Sequence, residues 1–176
     1  MDLNKTAHLI VAELRAHDFE DDGGIRQALA LAEEAGEMVG AYRRWTGRAR
    51  RTGTEEEFRS ELADVVITAY VTAAEQRATL NVMAVPFTYR EPMPETAWPS
   101  VLAVFAAVNV FVSRWQVFDQ ATRSEPLEEI VRCCRHLAQV LDIDLDADIT
   151  AKLDVIFKRG WRELCIQARK TGVVLP

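Results

Sequence analysis

The chain is poor in the residues that build disulfide, zinc and redox chemistry. Its 176 residues include three cysteines and three histidines. Cys133, Cys134 and Cys165 are odd in number, two of them are adjacent, and no C-x-x-C spacing occurs. A disulfide framework, a zinc site and a thioredoxin-like motif are therefore not expected. Three free thiols suit a reducing cytoplasm. None of His8, His17 and His136 completes a Glu-x-x-His pair, which argues against a di-iron bundle. Cationic charge is also short: 21 Lys and Arg against 27 Asp and Glu give a net charge of −6. Nucleic acids and anionic membranes call for the opposite field. The longest apolar run, 101–112, is interrupted by Asn109 and is too short to cross a bilayer. The N-terminal MDLNKTAHLIVAELRAH is amphipathic and charged, without the apolar core of a signal peptide. These absences predict a cytoplasmic protein with neither a nucleic-acid nor a membrane partner.

What is present is an ordinary globular composition, 49% hydrophobic and 27% charged, at a length typical of one domain. Helical spacing of apolar residues recurs over 3–17, 25–45, 55–80, 100–122, 126–141 and from about 147 onward. Thr54 followed by Glu57 fits a capping box, and Asp21 and Asp22 supply acidic capping ahead of the second helix. The stretch LADVVITAYVTAA is apolar nearly all round, the mark of a buried helix. Pro86, Pro92, Pro94 and Pro99 make 84–99 a loop. No segment alternates with period two. The expectation is a single all-α domain over 1–176, a bundle of about six helices. The apolar 101–112 helix must be covered by the chain itself or by another subunit.

Two acidic pairs stand on consecutive helices, Glu34 with Glu37 and Glu61 with Asp64. An i,i+3 step turns about 300°, so each pair leaves its helix on one face. Antiparallel helices would set the pairs opposite one another as an oxygen-rich cage, the donor type that selects Mg²⁺ or Mn²⁺. Similar acid pairs occur at Asp18/Asp21 and Glu125/Glu128, where a solvated face explains them. The setting separates the two candidates. Asp64 precedes VVITAYV, Glu34 and Glu37 share a face with Ala30, Leu31, Met38 and Ala41, and no Lys or Arg lies within these segments. Gly36 and Gly40 would admit a neighbouring helix or ligand to close approach.

EEAGE (33–37) followed by ELADV (61–65) resembles the E-x-x-E … E-x-x-D signature of MazG-like all-α nucleoside triphosphate pyrophosphohydrolases, relatives of the dimeric dUTPases. Weaker similarity continues through LDIDLDADITAKLDVIFKR (141–159). The resemblance implies that Glu34, Glu37, Glu61 and Asp64 ligate Mg²⁺, with Mn²⁺ as alternative, and carry catalysis. It implies hydrolysis of an NTP or dNTP to the monophosphate and pyrophosphate, as in nucleotide-pool house-cleaning. Lys152 and Arg159 match phosphate-contacting positions. Relatives are usually oligomers, so a homo-oligomer, a dimer or larger, is expected. Relative to a minimal member, a Pro-containing loop and an extra helix are inserted around 81–127. LEEIVRCCRHLAQVL (127–141) faintly echoes 61–76 without its second acid, as a mimic of a partner subunit would. The Asn that many members carry between the Lys and the Arg is replaced by Ile156. This departure and the insertion support a second reading, a non-catalytic nucleotide-sensing or interaction module. A third reading is a helical scaffold whose acids are structural.

Trp45, two turns beyond Glu37, is the best-placed aromatic to stack on a base, with core packing the competing role. Arg43, Arg44, Arg48, Arg50 and Arg51 form a basic run that would steer an anionic nucleotide, or simply a solvated loop.

Overall fold

The computed structural model of the protein describes residues 2–16, 24–82, 93–115 and 124–171, with side chains as far as 158. The expected all-α bundle is observed. Six helices follow one another: α1 (Leu3–Ala16), α2 (Ile25–Trp45), α3 (Glu55–Glu75), α4 (Trp98–Ser113), α5 (Ser124–Val140) and α6 (Leu145–Thr171). A 3₁₀ turn, Pro94–Thr96, precedes α4. Among the described residues there is no strand, and no helix is long and apolar enough to cross a membrane.

The centre is α3. Leu62, Ala63, Val65, Val66, Ile67, Ala69, Tyr70 and Val71 are all buried, because α1, α2, α5 and α6 each pack against this helix. Its ends are chemically defined. Thr54 adopts an extended backbone and its side chain accepts from the Glu57 N–H at 3.2 Å, which satisfies a donor left over by the first turn. Glu55, Glu56 and Glu57 place negative charge at the positive end of the helix dipole. The helix stops at Glu75, five residues before the expected end. Arg77 takes a left-handed backbone (φ 59°), and the N–H groups of Arg77 and Ala78 turn back to the carbonyls of Ala74 and Ala73. Asp142 (φ 56°) terminates α5 in the same way.

The start of α2 departs from expectation. Its N-cap is Gly24 in the left-handed region (φ 81°), with no side-chain cap; Asp21 and Asp22 lie outside the described residues. A Cβ at Gly24 would stand 2.7 Å from the Trp115 ring, so only glycine fits here. Among the described residues, no neighbouring helix closes on Gly36 or Gly40. Among the described residues, nothing lies within 4 Å of a Cβ at Gly36, and the Arg44 side chain lies near Gly40.

Helix α4 opens two residues earlier than expected, with Pro99 inside its first turn, a position that tolerates proline because no intrahelical donor is lost. It packs on α2 and α5 through Val101, Val104, Val108 and Phe111, which are buried. The chain thus covers one face of the 101–112 segment; Leu102 and Val110 remain about half exposed on the other. Cys133 and Cys134 are free thiols, as expected. Cys165 lies in the part of α6 whose side chains are not described.

Candidate metal centre

Helices α2 and α3 are joined by the loop 46–54 and pack along their lengths. The turn brings Trp45 against Phe58 at one end, with centroids 5.4 Å apart and planes at 22°. Farther from the loop, Glu34 comes opposite Glu61 and Asp64. Each of these three offers a carboxylate oxygen within 4.8 Å of the other two. All three side chains are half-buried.

The charges act on one another. Burial first, then the charges of Asp64, Glu37 and Glu61, push the Glu34 carboxyl from 4.5 up to about 7, against the opposing effect of Lys152. Burial, Asp64 and Glu37 also raise Glu61, while Lys152 and Arg44 oppose the rise. Glu37 therefore belongs to the electrostatic field of the site without joining its three-acid group. It is exposed, one turn further along α2.

The cation paired with Asp64 comes from α6. Lys152 is ion-paired with Asp64 and donates a hydrogen bond to the Ser60 hydroxyl at 2.9 Å. Arg59, one residue before Ser60, makes two further bonds to Asp148, at 2.9 and 2.8 Å. Asp148 precedes Lys152 by four residues, so both fall on the α6 face that meets α3. Ser60, Arg59 and Asp148 escaped the sequence reading. Only the Asp148/Lys152 spacing signalled them, and it fits any amphipathic helix.

The remaining candidates are distributed as follows. Trp45 is partly buried, stacked on Phe58 and in a T-shaped arrangement with Tyr42, at 6.4 Å and 80°. Arg159 lies on α6 among the residues whose side chains are not described. Ile156 packs partly buried against the core. In the basic run, Arg44 faces Glu57 at 3.7 Å, and Arg43 and Arg48 donate to the carbonyls of Arg48 and Glu95.

The donor set fits a hard divalent cation. All three groups are carboxylates, and oxygens sharing a Mg²⁺ at about 2.0–2.1 Å are at most about 4.2 Å apart. The observed spread is within side-chain adjustment of that limit. No family model, no curated protein and no solved structure matches this chain.

Proposed function

We propose that the protein is a divalent-metal-dependent pyrophosphohydrolase that converts an NTP or dNTP to the monophosphate and pyrophosphate. The observation that carries the reading is the convergence of Glu34, Glu61 and Asp64 from two helices onto one oxygen-lined point. It stands together with the E-x-x-E … E-x-x-D spacing that resembles the MazG-like enzymes. In this reading Glu34, Glu61 and Asp64 hold Mg²⁺ or Mn²⁺, and Glu37 adds negative charge from outside. A bound cation supplies charge neutralisation at the phosphates and activation of the attacking water. Lys152 and Ser60 carry donors beside the carboxylates, in reach of a phosphate oxygen once the Lys152–Asp64 pair opens. Arg159 remains a phosphate-binding proposal on motif position alone, and Trp45 offers a base at most the ring face turned away from Phe58.

A second reading has its own observation. Lys152 neutralises Asp64 inside the chain, as a scaffold with structural acids requires, and as a nucleotide-sensing module without turnover also permits. Self-association as a dimer or larger is part of the proposal; the exposed residues Ala103, Ala106 and Val110, on one side of α4 away from the core, support it.

The deciding experiment is a pyrophosphate-release screen over common and modified NTPs and dNTPs, with Mg²⁺ or Mn²⁺ and with EDTA. The expected products are a monophosphate and pyrophosphate, formed only with metal. Diphosphate plus orthophosphate would contradict the assigned bond. Nucleotide binding without turnover would support the sensing module.

A further inference from the structure

The seam of α2 and α3 that holds the three carboxylates also carries a cation nearer the connecting loop. Arg44 follows Glu37 by seven residues, about two helical turns, and so lies on the same face of α2. Its side chain is seated between two bare stretches of backbone. A Cβ at Gly53, in the returning loop, would stand 2.7 Å from the Arg44 Cβ and 3.5 Å from its Nε, and a Cβ at Gly40 would stand 3.3 Å from one of its terminal nitrogens. Gly53 thus leaves room for the stem of the side chain and Gly40 for its head. The guanidinium lies one turn back along α2, in the direction of Glu37 and the acids.

The head is close to the carboxylates and lightly engaged. The charge of Arg44 acts on Glu61, as does that of Glu37. Its ion-pair partner, Glu57, is 3.7 Å from Nε, beyond hydrogen-bond reach, and the Glu57 side chain is 52% exposed. Among the described residues the guanidinium donates no hydrogen bond, so its N–H donors remain for a ligand.

Arg44 and Lys152 flank the acids from different elements, Arg44 from the loop end of α2 and Lys152, beside Asp64, from α6. A single phosphate needs no more than a metal and one cation. Cations on two sides of a group of metal-binding acids suit a chain of phosphates, whose charge is spread along its length, and a guanidinium matches two oxygens of one phosphate at once. We propose that Arg44 positions a polyphosphate at this site, its guanidinium taking two oxygens of the end of the chain that faces the 46–54 loop. Resting on the proposed metal centre, this role narrows the substrate to compounds with two or more linked phosphates.

Isothermal titration calorimetry in saturating Mg²⁺, with inorganic pyrophosphate and orthophosphate as probes, tests this alongside Mn²⁺ binding alone by electron paramagnetic resonance. The wild type is expected to bind pyrophosphate about tenfold or more tighter than orthophosphate. Arg44→Gln should remove that margin and leave orthophosphate unchanged. Arg44→Lys should restore part of it, since an ammonium is a point charge without the planar fork. Glu57→Gln should act with the opposite sign: without the competing carboxylate Arg44 should hold pyrophosphate more tightly, and the gain should vanish in the Arg44→Gln background. Both side chains are substantially exposed, so the variants are expected to fold, as circular dichroism would verify, and none should bind Mn²⁺ more weakly. No pyrophosphate binding, equal affinity for the two anions, an Arg44→Gln variant that keeps the margin, or a parallel loss of Mn²⁺ affinity would each overturn the role of Arg44 without touching the metal centre. A wild type that binds no Mn²⁺ would fail the metal centre itself, and this role with it. Arg44-dependent pyrophosphate binding without turnover of any nucleotide would uphold the role and turn the reading to the sensing module.

Discussion

Lys152 on α6 and Asp64 on α3 form an ion pair inside the cluster of acids, with side-chain exposures of 24% and 13%. Ser60 fixes the ammonium from one side at 2.9 Å. An aspartate in the middle of α3 is thus compensated by a residue 88 positions away in sequence. Removing Lys152 takes away a cation that offsets Asp64, Glu34 and Glu61 together. Lys152→Met should lower metal-free stability by about 1.5–3 kcal/mol, and Asp64→Asn should lower it less, because it also relieves the repulsion that Asp64 exerts on Glu34 and Glu61. The two losses should not add: a double-mutant cycle by urea denaturation in EDTA is expected to show coupling of about 1 kcal/mol or more. Strictly additive losses would mean the pair contributes nothing in solution. Lys152→Met should also bind Mg²⁺ more tightly than the wild type, since a competing positive charge is gone.

The Glu34 carboxyl supplies a pH signature. Its folded value of about 7 lies above the ordinary 4.5, so between these values the folded chain holds a proton that the unfolded chain releases. Its contribution to stability is therefore favourable at low pH, declines as pH rises from about 4.5 to 7, and stays unfavourable above that. Solvent screening of a half-buried group limits the swing to about 1–2 kcal/mol. Denaturation in EDTA at pH 5 and pH 8 should show this fall in the wild type, and Glu34→Gln should flatten it. If the proposed metal centre is real, saturating Mg²⁺ should also flatten it, and metal addition at pH 6 should release protons. A wild-type slope identical to that of Glu34→Gln would remove the charge crowding.

The acids should differ in their importance for turnover. Glu34, Glu61 and Asp64 share one point, whereas Glu37 is exposed and outside their group. Substituting a group that acts on a metal through its neighbours typically loses about 10–100-fold in activity. A direct ligand should lose more, so Glu61→Gln is expected to fall by at least about 100-fold and Glu37→Gln by about tenfold. The comparison is made on kcat/KM for the best nucleotide found in the product screen. Equal losses at Glu37 and Glu61 would restore the four-ligand arrangement that the motif implies.

Much of this was legible in the sequence because it follows from local periodicity. The six helices are written in apolar spacing, and the α3 cap in Thr54 and Glu57. The acid pairs on α2 and α3 needed only a short connection to be set opposite each other. What was not legible depended on distant or conformational facts. Lys152 reaches Asp64 only because α6 lies on α3, held there in part by Arg59 and Asp148. Glu37 shares an i,i+3 step with Glu34, yet in the packed bundle Glu34 is half-buried and Glu37 exposed. The end of α3 is set by a left-handed backbone at Arg77, a residue type that gives no warning of that conformation. Pro99 reads as a helix breaker but occupies the first turn of α4, where proline is accommodated.

Gly24, the N-cap of α2, and Gly36, within the helix, should respond in opposite directions to the same change. Gly24 has φ 81°, and a Cβ there would meet Trp115 ring carbons at 2.7 and 2.8 Å. The left-handed conformation alone costs a non-glycine residue about 1–2 kcal/mol, and the indole belongs to a buried residue that cannot simply swing aside. Gly24→Ala should therefore destabilise by more than about 2 kcal/mol, with a disturbed Trp115 environment visible in near-ultraviolet circular dichroism. Gly36 lies mid-helix, exposed, with nothing within 4 Å of an added Cβ. There the methyl group meets only solvent and the unfolded chain loses freedom, so Gly36→Ala should stabilise by about 0.5–1 kcal/mol. Thermal melts of the two variants in EDTA measure both signs. A destabilised Gly36→Ala would mean that the bare backbone at 36 is needed by something docked on α2, as the close-approach reading of the sequence first suggested. The same variant then becomes its test: the loss should deepen with protein concentration if the docked element is a second copy, and stay constant if it belongs to the chain itself.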